Sequence, residues 1–503
     1  MIIHTGGSTA SGLKRTSLWF ICIAAACLLF ADLEIAGSDP WLELGRIGLG
    51  LLTPNFFATE SLWQALFNTL AFALVGVVIA NIFGFMLALV FHWPLVRYFC
   101  SATRAIHELF WALIFLQIFG LSTVTGILAI AIPYSGIFAK VYAEILEESD
   151  QRPQQALPPQ RSLVSAFFYT RLPIALPHFK SYCLYRLECG IRSSAILGFI
   201  GLPTLGFHLD TAFKQGHYSQ ASALLYLFFI LIATMKYWMR FKLAPIYLIS
   251  AIYVLPAGGE FSWPLLLRFI TEDIIPSPLR MSEEPLLAQL HTVTIWCWSL
   301  LSQQGVEGIL NTLILSLIAL VGSGLISLTM FPLVSRHFSN RPARGLGQAA
   351  LVVFRSIPEL ILAFICTLIL GPSMLPAILA LSLHNGAIIG FLVGQYSNTL
   401  RLRDDACSGL NLYFYEVLPR IYPQFLAFLF YRWEVIMRET AILGILGIHT
   451  LGFYIDSAFE DLRFDRAIFL IMITAALNML IDALSRRLRS RIHLGNFERM
   501  ANC

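Results

Sequence analysis

The chain has 503 residues, of which 57% are apolar and only 13% charged, with a formal net charge of +4. That composition excludes a string of soluble domains; the modest charge says little by itself, and no nucleic-acid partner is expected. Apolar runs such as 66–91 and 309–334 exceed the roughly 20 residues that cross a bilayer core, so the reading is of an all-α, multi-pass membrane protein.

In chain order about twelve spans are expected. The first half places them near 17–36, 65–92, 106–120, 123–141, 178–204 and 220–238. The second places them near 243–257, 308–334, 346–370, 373–396, 423–449 and 466–484. Lys14 and Arg15 precede the first apolar segment and no small-residue cleavage site follows it, so it reads as a retained helix. The segments 37–61 and 258–307 are aromatic-rich and too broken to span, and Trp41, Trp263, Trp296 and Trp298 suit a bilayer interface. The nine cysteines have no paired spacing and imply neither a metal site nor a disulfide framework.

The basic residues orient these spans. Lys14/Arg15, Arg97/Arg104, Lys140 to Arg171, Lys236/Arg240/Lys242, Arg336/Arg341/Arg344, Arg401/Arg403 and Arg486 to Arg491 fall on one side. The positive-inside rule then puts both termini in the cytoplasm.

One stretch occurs twice. Leu172-Pro173 through Phe213 aligns without a gap on Leu418-Pro419 through Phe459, with about half the positions identical. The matches include Pro177/Pro423, Tyr185/Tyr431, Arg186/Arg432, Glu188/Glu434, Arg192/Arg438, Gly198/Gly444, Gly201/Gly447 and Thr204–Phe207 on Thr450–Phe453. Asn68-Thr69 answers Asn311-Thr312, and Arg104-Ala-Ile-His-Glu108 answers Arg355-Ser-Ile-Pro-Glu359. The domains expected are therefore two copies, 1–241 and 242–503. With six spans each they are parallel repeats, related by an axis along the membrane normal.

Charge inside the membrane is costly and usually faces a bundle interior or a wet cavity. Arg186, Arg192, Arg432 and Arg438 fall inside the fifth spans. Glu188–Arg192 and Glu434–Arg438 are spaced i,i+4, with Tyr185 and Tyr431 on the same face. One reading makes them structural ion pairs at a packing seam. The other lines a path for an anion with them, because guanidinium offers forked donors and stays charged. Arg186 and Arg432 have no obvious partner on their own helix and are the stronger pathway candidates. Gly198, Gly201, Gly444 and Gly447 close the fifth spans and suit either close helix packing or a gate. The loops 142–177 and 397–420 sit at the same point of each half and suit a duplicated docking surface. No phosphate-binding loop, histidine metal spacing or Ser/His/Asp constellation is present, so no catalytic residue, metal or cofactor is expected, and a nucleotide-driven process needs another chain.

Tyr185-Arg186-Leu-Glu188 through Arg192-Ser-Ser-Ala-Ile-Leu-Gly198, and Tyr431-Arg432-Trp-Glu434 through Arg438-Glu-Thr-Ala-Ile-Leu-Gly444, resemble the signature of phosphonate-type ABC transporter permeases. Arg355-Ser-Ile-Pro-Glu359-Leu, Lys140-Val-Tyr-Ala-Glu144 and Leu383-His384-Asn-Gly are similar to that family's third and fourth spans. The resemblance implies a type I ABC importer (MetI-like) permease fold in the inner membrane. It also implies a cytoplasmic ABC ATPase dimer, a periplasmic substrate-binding protein, and a small oxyanion such as a phosphonate as cargo. One chain would stand in place of a permease homodimer, with the cytoplasmic loops as coupling helices. Both loops depart from the family pattern. The first reads Gln154-Gln155-Ala156-Leu157-Pro158-Pro159, and the second Asp405-Ala406-Cys407-Ser408-Gly409. The two sites are thus expected to contact the ATPases unequally, and Pro158-Pro159 to interrupt a helix. An ion- or proton-coupled secondary transporter with two parallel six-helix halves is the competing reading.

Overall fold

A computed structural model describes residues 6–491 other than 36, 38, 151, 158–161, 257, 259–261 and 281–284. Among them the regular structure is helical throughout. The first half contributes α1 (Gly6–Leu28), α2 (Pro40–Leu52), α3 (Leu62–Leu89), α4 (Pro94–Ala105), α5 (Glu108–Phe119), α6 (Thr123–Glu148), α7 (Leu172–Ile196), α8 (Leu205–Lys214) and α9 (Tyr218–Trp238). The second contributes α10 (Ala244–Val254), α11 (Leu286–Leu300), α12 (Val306–Val334), α13 (Arg341–Ser356), α14 (Glu359–Leu370), α15 (Met374–Ser397), α16 (Leu418–Ile442), α17 (Leu451–Glu460) and α18 (Phe464–Arg491). The helices thus recur in the same order.

Six helices among the described residues are long and apolar enough to cross a membrane, or up to ten spans if each of four bent pairs counts as one. The first helices of the two halves, α1 and α10, fall outside that count.

Two expectations change. A single span over 346–370 is instead two helices, α13 and α14, meeting at 90°, and α4 and α5 meet at the same angle. Pro358 is the reason in the second half. It has no N–H to continue the ladder and drives Ile357 into extended backbone at ψ 124°. In the first half Ile106 is extended too, and His107 caps α5 by accepting from Leu109 N at 3.2 Å. The outer segment 258–307 also differs at its end. Instead of stopping short, α11 runs through a π turn, Leu301–Gly305, into α12, giving 48 residues in one candidate span. At about 1.5 Å per residue that rod is roughly 70 Å long. It is over twice the roughly 30 Å hydrocarbon core.

The described residues pack as two compact units, one of those up to Gly48 together with those from Ile270 onward, and one of those from Leu49 to Phe269. Each unit includes the first helix of the other sequence half. In one, α1 lies on α12 and α16. The Tyr422 hydroxyl donates to Ser17 Oγ at 2.6 Å, and Phe20 meets the rings of Phe430 and Trp433 at 5.2 and 5.3 Å. In the other, α10 lies along α3. The most extensively packed pairs are α3 with α6 and α12 with α15. Small residues allow this. A Cβ on Gly84 would come within 2.4 Å of Phe138 Cβ, and one on Gly386 within 2.7 Å of Ile326 Cγ2.

Candidate functional site

Each long fifth helix ends in a break. After α7 a 3-10 turn, Leu197–Ile200, leads into α8, with an overall bend of 52°. After α16 the turn Leu443–Leu446 leads into α17 at 46°. The duplicated glycines explain the shape. Gly201 and Gly447 stand at φ +96° and +82°, where a side chain is strained. A Cβ on Gly198 would lie 2.1 Å from Phe207 N, and one on Gly444 2.0 Å from Phe453 N. The following helix folds back onto these positions, so close packing is part of their role.

The paired Asn-Thr of α3 and α12 hold each break in place. Asn68 Nδ2 donates to Pro203 O at 2.9 Å, and Thr69 Oγ1 accepts from Leu205 N at 2.8 Å. Asn311 Nδ2 donates to His449 O at 2.8 Å, and Thr312 Oγ1 accepts from Leu451 N at 3.1 Å. These bonds satisfy backbone groups that the break would otherwise leave unpaired in an apolar setting.

Beneath each break lies a buried polar cluster. In the first half Ser193 Oγ donates to Glu108 Oε1 at 2.6 Å and lies 2.9 Å from the Tyr134 hydroxyl. His107 Nε2 is 3.4 Å from Glu108 Oε2. The Arg186 guanidinium lies over Tyr134, Tyr182 and Tyr185 at 5.4, 5.4 and 5.6 Å, and its Nε donates to the Tyr182 hydroxyl at 2.8 Å. A cation among three rings is stabilised by their negative faces.

The second half uses the same positions with other chemistry. Arg432 Nε donates to Asn385 Oδ1 at 2.7 Å, and Arg432 Nη2 reaches Glu439 Oε1 at 3.3 Å. Asn385 Nδ2 donates to Glu439 Oε2 at 2.8 Å. His384 Nε2 is 3.9 Å from Glu359 Oε2, and the donor atoms of Glu359, His384 and Glu439 lie within 4.8 Å of one another. All three residues are buried. Arg432, without a partner by sequence spacing, finds one carboxylate two turns along α16 and one amide on α15.

The remaining fifth-helix residues are less enclosed. Tyr185 and Tyr431 are 48% and 40% exposed, and Glu188, Arg192, Glu434 and Arg438 are partly exposed. Arg192 Nη2 reaches Cys189 Sγ at 3.3 Å.

In the first cytoplasmic-type loop Arg152–Gln155 is a helical turn, followed by Ala156, exposed, and Leu157, partly buried. Pro158 and Pro159 lie outside the described residues. Arg152 hydrogen-bonds Asp150 and holds its carboxyl down at about 2. In the second loop Asp405 pairs with Arg403 at 3.4 Å, Ala406 is partly buried, and Gly409 takes φ +67° at the start of the turn Gly409–Asn411.

Sequence reasoning missed two features. Both loops pass through a π turn, Phe167–Arg171 and Leu412–Val417, that exposes the same dipeptide. Phe168 and Tyr169 are 54% and 82% exposed, and Phe414 and Tyr415 are 55% and 81%. The repeat's constant offset already pairs them. It also missed Tyr134, Ser193, Asn385 and Glu439 as site residues, because a search for identities between halves passes over positions that differ.

Fold and site together define a polytopic transport protein built from two copies of one helical unit. Residues 329–494 match the family described as "Binding-protein-dependent transport system inner membrane component". The "Phosphate-import permease protein PhnE" of Mycolicibacterium smegmatis is 25% identical over 410 residues, covering 77% of this chain and 76% of its own. That span is longer than either half of this chain. The "Phosphite transport system permease protein PtxC" of Stutzerimonas stutzeri is 27% identical over 225 residues, covering 42% of this chain and 78% of its own. No solved structure matches the chain. The chain is similar to permeases of the phosphonate-type ABC importers, which are transport components without an ATPase site of their own, and its apolar helices fit a multi-pass membrane component.

Proposed function

We propose that this permease carries a small phosphorus oxyanion, phosphonate or phosphate-like, across the inner membrane. A periplasmic binding protein delivers the ligand to the outer face. A cytoplasmic ABC ATPase dimer drives alternating access, and both termini lie in the cytoplasm. The halves 1–241 and 242–503 stand in for the two subunits of a permease homodimer. The observation that carries this reading is the duplication. One chain presents the same bent fifth helix, buried arginine cluster and exposed aromatic loop twice, as a two-fold ATPase pair requires. The relatives' names favour the cargo.

Within that reading the loops 142–177 and 397–420 dock the ATPases. Gln155, Ala156 and Leu157 act on one side, and Asp405, Ala406 and Gly409 on the other. Arg186, Arg432, Arg192, Arg438, Glu188, Glu434, Tyr185 and Tyr431 line or support the anion path, and the breaks at Gly201 and Gly447 work as gates.

The deciding experiment is purification of the tagged chain from its own cells, with mass spectrometry of what accompanies it. A nucleotide-binding ATPase pair per chain, and ATP-dependent uptake of phosphate or a phosphonate in proteoliposomes with the binding protein, is the expected result. A chain that purifies alone and transports without ATP is a secondary transporter, and the proposal fails.

A further inference from the structure

A cleft runs between α1, α12 and α16, with Ser17, Ile21, Gly324, Leu325, Tyr422 and Leu429 in its lining. Apart from Ser17 and Tyr422, every residue that lines it is apolar. The Tyr422 hydroxyl donates to Ser17 Oγ at 2.6 Å, and Ser17 Oγ donates to Leu13 O at 3.1 Å. Both hydroxyl protons are spent inside the protein, so the cleft offers hydrocarbon to whatever enters it. Phe425, Leu426 and Leu429 are buried and form its floor, whereas Ile21 and Leu325 are 49% and 60% exposed at its rim. Gly324 keeps it open, since a Cβ there would come within 3.3 Å of Leu429 Cδ2.

The first half carries bulkier side chains at the same places. The shared Asn-Thr anchors set α3 and α12 in one register, so Asn81 stands where the second half has Gly324, and Phe85 where it has Leu328. Asn81 accepts from the Tyr142 hydroxyl. Phe85 meets Phe179, the counterpart of Phe425, with ring centroids 6.1 Å apart.

The length of the cleft matches one leaflet. Its lining on α12 runs from Leu320 to Leu328, and that helix ends at Val334. At about 1.5 Å per residue the lining spans about 12 Å and stops about 9 Å short of the helix end. One leaflet has a hydrocarbon depth of roughly 15 Å.

One end of the cleft is marked by positive charge. On α1 the lining residues Ser17 and Ile21 continue toward the N-terminus through Lys14, at helical spacing. Lys14 and its neighbour Arg15 are exposed, and among the described residues neither has an ion-pair partner. Arg420, two residues before Tyr422 on α16, is instead held by Glu416 at 2.8 Å. Long basic side chains at a helix end lay their stems along apolar surface and carry their charge to the level of the lipid headgroups.

We infer that this cleft is a binding site for one anionic phospholipid, from the leaflet at the N-terminal end of α1. An acyl chain fills the apolar cleft, and Lys14 and Arg15 hold the phosphate. The chain supplies contacts to Ile21, Gly324 and Leu325 that no protein group makes, and the headgroup supplies the anion that the two cations lack. Bound there, the lipid fastens α1 to α12 and α16. The site requires only that the chain lies in a membrane and is independent of the importer reading.

The test is native mass spectrometry of the delipidated full chain, with whatever partners it retains, titrated with phosphatidylglycerol and separately with phosphatidylcholine. The expected result is one tightly retained phosphatidylglycerol per chain, in preference to phosphatidylcholine. Lys14→Gln and Arg15→Gln should each weaken it about fivefold, and glycerol phosphate without acyl chains should not compete. Leu328→Phe, which installs the first half's residue, should remove the retained lipid. Should that variant not fold, phosphatidylglycerol with a photoreactive acyl chain, applied to the native protein, should label peptides of α1, α12 and α16 that line the cleft. Equal retention of both lipids, binding indifferent to Lys14→Gln and Arg15→Gln, competition by glycerol phosphate, or labelling that avoids these peptides overturns the inference.

Discussion

Arg432 is a residue whose removal the structure makes costly. Its guanidinium bonds Asn385 and Glu439 inside a buried site. Arg432→Ala leaves Glu439 unopposed, and breaking a buried pair from one side typically costs about 3–5 kcal/mol. The expected outcome is a clear drop in melting temperature in detergent, with uptake lost. Arg186→Ala meets a different environment, because its contacts are three tyrosine rings and one hydroxyl. Cation–ring contacts carry about 0.5–2 kcal/mol each, so this variant should fold. Its uptake then reports directly on a pathway role: normal transport at normal expression removes Arg186 from the path. Sequence spacing located both arginines. It could not find their partners, because Asn385 and the rings of Tyr134 and Tyr182 come from other helices or lie at positions that differ between the halves.

At the scale of elements, the break in the fifth helix depends on backbone approach that a methyl group blocks. A Cβ on Gly206 would lie 1.7 Å from Ala195 O. Gly206→Ala should therefore destabilise α8 against α7 by more than the about 1–3 kcal/mol of ordinary overpacking, seen as loss of monodisperse protein on size exclusion. Asn311→Ala removes only one hydrogen bond to His449 O, with an expected cost of about 1 kcal/mol. A small melting shift checks it. The exposed Phe168-Tyr169 and Phe414-Tyr415 pairs are the strongest candidates for ATPase contact, since exposed aromatic pairs at matched positions suit a protein interface. Tyr169→Ala and Tyr415→Ala, made singly, should each reduce ligand-stimulated ATP hydrolysis while leaving the permease folded. Unequal losses would show that the two loops couple unequally, and unchanged stimulation in both would exclude the pairs from docking.

At the scale of the whole molecule, composition and the internal repeat were enough to settle a helical membrane protein of two related halves, because burial in lipid forces long apolar segments and a duplicated sequence repeats its local packing. The fifth-helix positions, their glycines and the Asn-Thr pairs were legible because the two halves retain them identically. Three things were decided by the tertiary structure. The right-angle breaks before α5 and α14 depend on how a few residues leave the helical ladder, which hydropathy averages away. The packing of α1 on α12 and α16, and of α10 on α3, joins segments far apart in the chain, which no local pattern encodes. The buried clusters depend on substitutions that differ between halves yet meet in the same place: Ser193 or Glu439, Tyr134 or Asn385. Repetition marks the positions two copies share. The charge balance of each buried site is set by which side chains converge there in three dimensions.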